Sequence, residues 1–118
     1  GINWNTDGGV RLGVNRGAGV VCSITKSFHI PANVTVKVTA NGTHNGTGSG
    51  LFAVENKVTL TVGATKVVEQ TQKGSSQKDF SCNAASASMS SSNNTVKCHS
   101  SYNMASAKVV VKALHIEF

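Results

Sequence analysis

Lysines that alternate with apolar residues carry the most distinctive chemistry of this sequence. Successive side chains of a β-strand point to opposite faces of a sheet, so a lysine between two valines faces solvent. If these strands share a sheet, the lysines form a positive stripe that attracts an anionic surface, an acidic glycan or a protein partner. The alternative is that they only keep strand faces soluble and strand edges unpaired. The candidate binding residues on these strands are Lys37, Lys57, Lys97, His99, Lys108 and Lys112.

Trp4 and Tyr102 are the two aromatic residues with polar groups, and they are the candidates for contact with a sugar. Trp4 lies between Asn3 and Asn5, a polar setting, although anchoring the N-terminal segment to the core is an equally good interpretation. Nucleic acid is not an expected partner, because the chain has only two arginines and few rings on which bases could stack.

The residues that could catalyse a reaction are scattered. Hydrolysis usually needs two placed carboxylates, and no two of the five acids are close in sequence. Cys98 and His99 are adjacent, so on a strand they point to opposite faces and cannot jointly hold zinc. The sequence contains neither a Gly-x-Ser-x-Gly elbow nor a phosphate-binding loop. We therefore predict a protein that is not an enzyme and that uses no cofactor or metal.

The three cysteines, Cys22, Cys82 and Cys98, allow one disulfide. A Cys82–Cys98 bridge is favoured because it would close the serine-rich segment between the two residues. Closing a loop of about 15 residues stabilises a fold by roughly 3 kcal/mol in the chain-entropy model. The pairings Cys22–Cys98 and Cys22–Cys82 stay open.

Four Asn-x-Ser/Thr sequons begin at Asn33, Asn41, Asn45 and Asn93. Two Asn-Gly pairs predict a flexible loop over residues 41–50, where a glycan would be tolerated. Asn41 and Asn45 are therefore the predicted glycosylation sites, whereas Asn33 leads into a strand.

Alternating apolar residues predict the strands that position these groups. The pattern is clearest over residues 34–40 and 57–62. A parity change near Lys112 and Ala113 predicts a β-bulge in the last strand, or a strand buried on both faces. The serine- and asparagine-rich segment 83–94 is predicted to be an open loop. The predicted strands cover residues 10–14, 20–25, 34–40, 51–55, 57–62, 65–71, 80–82, 95–100 and 107–118.

Composition narrows the class of protein. Only 14% of the 118 residues are charged, with 11 Lys+Arg against 5 Asp+Glu, and Ser, Thr, Asn and Gly make up 48 residues. The 16 valines argue against disorder and against a helical bundle, and no apolar run is long enough to cross a membrane. We predict one all-β domain spanning residues 1–118, an antiparallel β-sandwich of about eight short strands, with a jelly roll or small barrel as the alternative.

A polar β domain with mild positive charge is typical of a secreted, extracellular protein that acts by binding. The composition is similar to that of microbial effectors, toxins and adhesins, so the leading hypothesis is an effector- or toxin-like virulence protein that binds a host protein or an anionic surface. A carbohydrate-binding module is the second hypothesis. A structural subunit of a fibre, pilus or capsid is the third, with residues 107–118 as a free edge that joins chains.

Overall fold

A computed structural model of the protein describes residues 1–5, 22–101 and 108–118, and the regular elements of this part are eight strands and one short 3₁₀ turn. The predicted strand 10–14 lies outside the described residues. The turn covers Gly50–Phe52. The strands are β1 Ile2–Trp4, β2 Cys22–His29, β3 Thr35–Asn45, β4 Glu55–Val62, β5 Thr65–Lys73, β6 Lys78–Ser88, β7 Asn93–Ser100 and β8 Lys108–Glu117.

The strands form two four-stranded sheets. The first sheet has the order β1-β8-β3-β6, and the second has the order β2-β7-β4-β5. Every neighbouring pair is antiparallel. The predicted antiparallel β-sandwich is therefore confirmed.

Valine alternation builds the core between the sheets. On β3, Val36 and Val38 are fully buried. The residue that follows each of them, Lys37 and Thr39, is exposed. On β4, Val58 repeats this pattern. Burying one such side chain stabilises the fold by roughly 1.5–3 kcal/mol. Further fully buried side chains of this core include Leu60, Val62, Val96, Cys98 and Ile116.

The predicted bulge in β8 is confirmed. Asn41 of β3 pairs with Ala113 and the next residue, Gly42, pairs with Val111, so Lys112 is the extra residue. A Cβ atom at Gly42 would lie 2.1 Å from the backbone oxygen of Val110. The close approach at this point of β3 therefore requires glycine.

Four segment predictions are wrong. Residues 41–45 and 83–88, both expected in loops, extend β3 and β6, because each strand finds a hydrogen-bonded neighbour in the first sheet. The predicted strand 51–55 is replaced by the 3₁₀ turn and a single bridge between Thr47 and Val54. The segment 107–118 was expected to offer a free edge, but β8 is paired on both sides, by β1 and β3.

The predicted Cys82–Cys98 disulfide is absent, and both cysteines are free. Cys82 lies on the first sheet and donates its thiol to the backbone oxygen of Val38 at 3.6 Å. Cys98 lies on the second sheet, where burial raises the pKa of its thiol to about 12. Facing sheets are about 10 Å apart, whereas a disulfide needs Cα atoms roughly 5.5–6 Å apart. The side chain of Cys22 lies outside the described part of the chain.

No helix of the described residues is long and apolar enough to cross a membrane.

Candidate functional site

Polar side chains fill one end of the space between the two sheets. Asn56 at the start of β4 is fully buried, and its Oδ1 accepts a hydrogen bond from Ser100 Oγ at 2.7 Å. Its Nδ2 donates to the backbone oxygen of Asn45 at 3.1 Å. Because Asn45 ends β3 in the first sheet, while Asn56 and Ser100 belong to the second, this network ties the two sheets together.

His44 extends the buried polar network. It is 1% exposed, and its Nε2 lies 3.0 Å from Nε2 of Gln70, which also donates to the backbone oxygen of Asp79 at 2.8 Å. An amide nitrogen only donates, so His44 Nε2 accepts and the ring is neutral with its proton on Nδ1. Burial lowers the pKa of His44, and the charge of Lys78 lowers it further. The imidazole ring packs edge-to-face against the ring of Phe80, with the two ring centroids 6.1 Å apart.

Two loops lie beyond this buried network and are joined by their backbones. The amide of Gly74 donates to the oxygen of Val54 at 3.2 Å, and the amide of Ser75 donates to the oxygen of Gly48 at 2.9 Å. We call residues 46–54 and 74–77 together the loop platform. Its hydrogen bonds give the β3–β4 loop a defined shape.

Phe52 stands on the loop platform with 85% of its surface exposed, next to Leu51, which is fully exposed. The 3₁₀ turn that presents them is closed by the Phe52 amide, which donates to the oxygen of Ser49 at 3.0 Å. Gly48 has φ of +74°, and a Cβ atom there would lie 2.3 Å from the oxygen of Phe52. The glycine-rich sequence before Phe52 is therefore what permits this turn.

Exposed polar residues form the second loop of the platform. Ser75, Ser76 and Gln77 are all exposed. Half-buried Gln72 donates to the backbone oxygen of Ser76 at 2.8 Å and so supports the 74–77 loop. The loop platform thus offers one exposed ring together with hydroxyl and amide groups that can donate or accept hydrogen bonds.

Sequence analysis missed Phe52 as a candidate. The sequence pattern predicts a short strand over residues 51–55, which includes Phe52. The available signal was the position of two large apolar residues directly after a run of glycines. Large apolar side chains that stay exposed often mark binding sites.

The two aromatic candidates have different outcomes. Trp4 lies on β1, is half-buried and packs against the core, which supports the anchoring interpretation. Tyr102 lies outside the described residues.

The expected lysine stripe is divided between two sheets. Lys57, Lys97 and half-buried His99 lie on β4 and β7 of the second sheet. Lys37 and Lys112 are exposed on β3 and β8 of the first sheet. Lys108 also belongs to β8, but its side chain lies outside the described part. The lysines therefore do not form a single surface.

Ion pairing further distinguishes the lysines of the second sheet. Lys57 and Lys66 contact the two oxygens of Glu69 at 2.7 and 3.1 Å. Hydrogen bonds from both lysines hold the pKa of Glu69 below its usual value. Burial and the neighbouring charge of Lys97 lower the pKa of His99. Lys97 makes no ion pair with a described residue.

The predicted glycosylation sites lie on a strand and not in a loop. Asn41 is exposed in the middle of β3. Asn45 is half-buried at the end of β3, where its Nδ2 donates to the backbone oxygen of Gly46 at 2.6 Å. Their modification stays a prediction.

Comparison with known proteins shows what this fold resembles. No protein-family model and no curated protein matches the chain. Among solved structures, the CBM36-1 domain of a multidomain xylanase from the hindgut metagenome of Trinervitermes trinervoides is similar with a TM-score of 0.54 and 16% identity, over 100% of this chain and 86% of the other.

Two further structures have the same architecture. A family 36 carbohydrate-binding module in complex with calcium and xylotriose gives a TM-score of 0.55 at 11% identity, covering 98% of this chain and 99% of the other. A family 35 carbohydrate-binding module from an environmental isolate gives a TM-score of 0.52 at 14% identity, covering 99% of this chain and 93% of the other. At these identities the similarity establishes a shared β-sandwich fold.

The calcium in one of these structures raises the question of a metal site here. Calcium needs six to eight oxygen ligands, several of them usually carboxylates. The described residues contain no group of three or more His, Cys, Asp or Glu that could hold a metal ion. Glu69 is paired with two lysines, and Glu117 contacts His115 at 2.5 Å. The described residues therefore do not fit a calcium site, and Asp7 lies outside them.

Proposed function

We propose that this protein is a non-catalytic carbohydrate-binding module that holds a glycan on the loop platform. The observation that carries the proposal is Phe52, a ring that is 85% exposed on a loop held by backbone hydrogen bonds. Solvating such a ring is unfavourable, and a ligand that covers it recovers part of this free energy.

The chemistry of a pyranose matches this surface. Its C–H groups form an apolar face that packs on the negative face of an aromatic ring, while its hydroxyls need hydrogen-bond partners at the rim. Phe52 supplies the ring, and the exposed Ser75, Ser76 and Gln77 supply the partners. Covering one phenylalanine contributes roughly 1.5–3 kcal/mol, which corresponds to about 10- to 150-fold in affinity.

The fold supports the same function. The chain matches carbohydrate-binding modules over 98–100% of its length, and one of them is in complex with xylotriose. A xylan is therefore the first ligand to test. His44 lies near the end of β3, two residues before the loop platform. It is buried and hydrogen-bonded to Gln70, so it cannot exchange a proton with a ligand in solvent. This arrangement favours binding over catalysis.

Two earlier expectations stay proposals. Because structural polysaccharides lie outside cells, we propose that the protein is secreted and acts there. The effector- or toxin-like hypothesis names a host protein or an anionic surface as the target, and nothing in the described surface favours a host protein over a glycan.

Retention on a panel of soluble and insoluble polysaccharides, beginning with xylan, tests the function. We expect the wild-type protein to bind at least one neutral polymer, Phe52→Ala to lose 10-fold or more in affinity, and Phe52→Trp to retain or gain affinity. Leu51→Ala is the matched control, because Leu51 is equally exposed but offers no ring. EDTA should leave binding unchanged.

Two outcomes would overturn the proposal. The first is no retention of the wild-type protein on any polymer of the panel. The second is an equal loss for Leu51→Ala and Phe52→Ala, which would indicate a general apolar contact and not stacking of a sugar.

A further inference from the structure

We propose that the outer face of the second sheet is a separate binding surface for an anionic polysaccharide. We name it the threonine–lysine face and define it by Thr25, Lys57, Thr59, Thr61, Lys66 and Lys97. Thr25, Lys57, Lys66 and Lys97 are exposed, and Thr59 and Thr61 are half-buried. The proposal does not depend on carbohydrate binding at the loop platform.

Strand register places the positive charges on one flat surface. Thr25 of β2 pairs with Lys97 of β7, Lys97 pairs with Thr61 of β4, and Thr61 pairs with Lys66 of β5. Neighbouring strands are about 4.8 Å apart, so Lys66 and Lys97 lie roughly 10 Å apart across the sheet. Lys57 precedes Thr61 by four residues, or about 13 Å along β4.

The outer side of the second sheet carries more positive than negative charge, because its exposed described residues include Lys57, Lys66, Lys73 and Lys97 against Glu55 and Glu69. Glu69 is shared by Lys57 and Lys66, so one carboxylate meets two ammonium groups. The register neighbours of Lys97 are threonines, which leave its charge uncompensated. On the first sheet, by contrast, the register neighbour of Lys37 is a carboxylate, Glu117, although Lys37 itself donates to Ser86 Oγ and Glu117 contacts His115. Local charge therefore favours an anionic ligand on the second sheet and not on the first.

The spacing of these groups favours a polymer. A single acidic sugar carries one charge and cannot contact Lys97 together with the Lys57–Lys66 pair, whereas an extended chain with repeated carboxylates or sulfates can meet all three lysines and gain avidity. Threonine hydroxyls along the same rows can bond to sugar hydroxyls. Among the described residues this face has no aromatic side chain, which disfavours base stacking and hence nucleic acid.

Titration with polygalacturonate, with heparin, with neutral xylan and with double-stranded DNA tests the inference and distinguishes carboxylate from sulfate recognition. We expect the wild-type protein to bind polygalacturonate, heparin or both, with affinity that falls as salt rises. Lys97→Gln should weaken this binding roughly 1.5- to five-fold, the range of one solvent-exposed ion pair. Glu69→Gln should strengthen it.

Lys37→Gln is the matched control, since it removes the same charge from an exposed strand position on the first sheet, and it should bind as the wild type does. Phe52→Ala should also leave this binding unchanged, so the two proposals can fail separately. Equal losses for Lys37→Gln and Lys97→Gln would overturn the inference by showing a response to net charge alone. Absence of binding to both acidic polymers, or DNA binding of equal affinity, would also overturn it.

Discussion

Replacing Asn56 by alanine tests whether the buried polar network holds the two sheets together beneath the loop platform. The substitution removes the acceptor of the Ser100 hydroxyl and the donor to the Asn45 oxygen. Leaving a buried polar group without its partner costs about 1–3 kcal/mol. Since two groups are affected, we expect Asn56→Ala to lower the free energy of unfolding by roughly 2–4 kcal/mol.

Urea denaturation measures this loss, and the slope of the transition shows whether the unfolded state has changed. Asn41→Ala is the matched control, because Asn41 is an exposed asparagine of β3 and its replacement should stay within about 0.5 kcal/mol. In the double variant Asn56→Ala/Ser100→Ala the hydroxyl that donates to Asn56 is removed as well, so the two losses should not add and about 0.5–1.5 kcal/mol should be recovered.

A loss below about 1 kcal/mol for Asn56→Ala, or a loss equal to that of Asn41→Ala, would refute the reasoning. Strictly additive effects of Asn56 and Ser100 would also refute it, because they would show that the two side chains do not act as one network.

Three further predictions concern other buried groups. Burial lowers the pKa of His44 in the folded protein below 6.5, so the unfolded state binds more protons at acidic pH. The free energy of unfolding should therefore fall as the pH drops below about 6.5, by at most roughly 1.4 kcal/mol per pH unit. Urea midpoints that stay constant down to pH 5 would contradict this. Gly42→Ala should cost more than about 3 kcal/mol or prevent folding, since its Cβ would meet the Val110 oxygen; wild-type thermal stability would contradict this. Cys98 should resist iodoacetamide at pH 8 in the native protein and react in urea, which mass spectrometry detects; rapid native alkylation would contradict its burial.

Local sequence pattern predicted much of the strand structure. Over residues 36–40 of β3 and 58–62 of β4 every second residue is apolar, and the structure buries that half. The bulge at Lys112 was also visible as a change of parity in the sequence. Both features depend on the period of two, which is a property of the strand itself.

Features that depend on strand partners were not predictable in this way. Lys37 and Lys97 have the same local pattern, yet they lie on different sheets. Residues 41–45 carry a turn-forming Asn-Gly pair, but β6 and β8 supply hydrogen bonds on both sides and the strand continues through Gly42. Pairing across the sheet outweighed the local turn preference.

The candidate site was missed for the same reason. Whether an aromatic residue is exposed depends on which other segments of the chain pack against it, and the neighbouring residues in sequence do not predict this. Trp4 has polar neighbours in sequence but packs against the core, whereas Phe52 has apolar neighbours and is exposed. The distinction came from the glycine-dependent turn that carries Phe52.

Amide chemical shifts of the ¹⁵N-labelled protein during titration with xylo-oligosaccharides test the central claim most directly. The account predicts saturable shifts centred on Phe52 and on residues 46–54 and 74–77, with the threonine–lysine face unchanged. Shifts confined to other parts of the sandwich would contradict the assigned site. If neither xylo-oligosaccharides nor other neutral oligosaccharides caused any shift, carbohydrate binding at the loop platform would be contradicted.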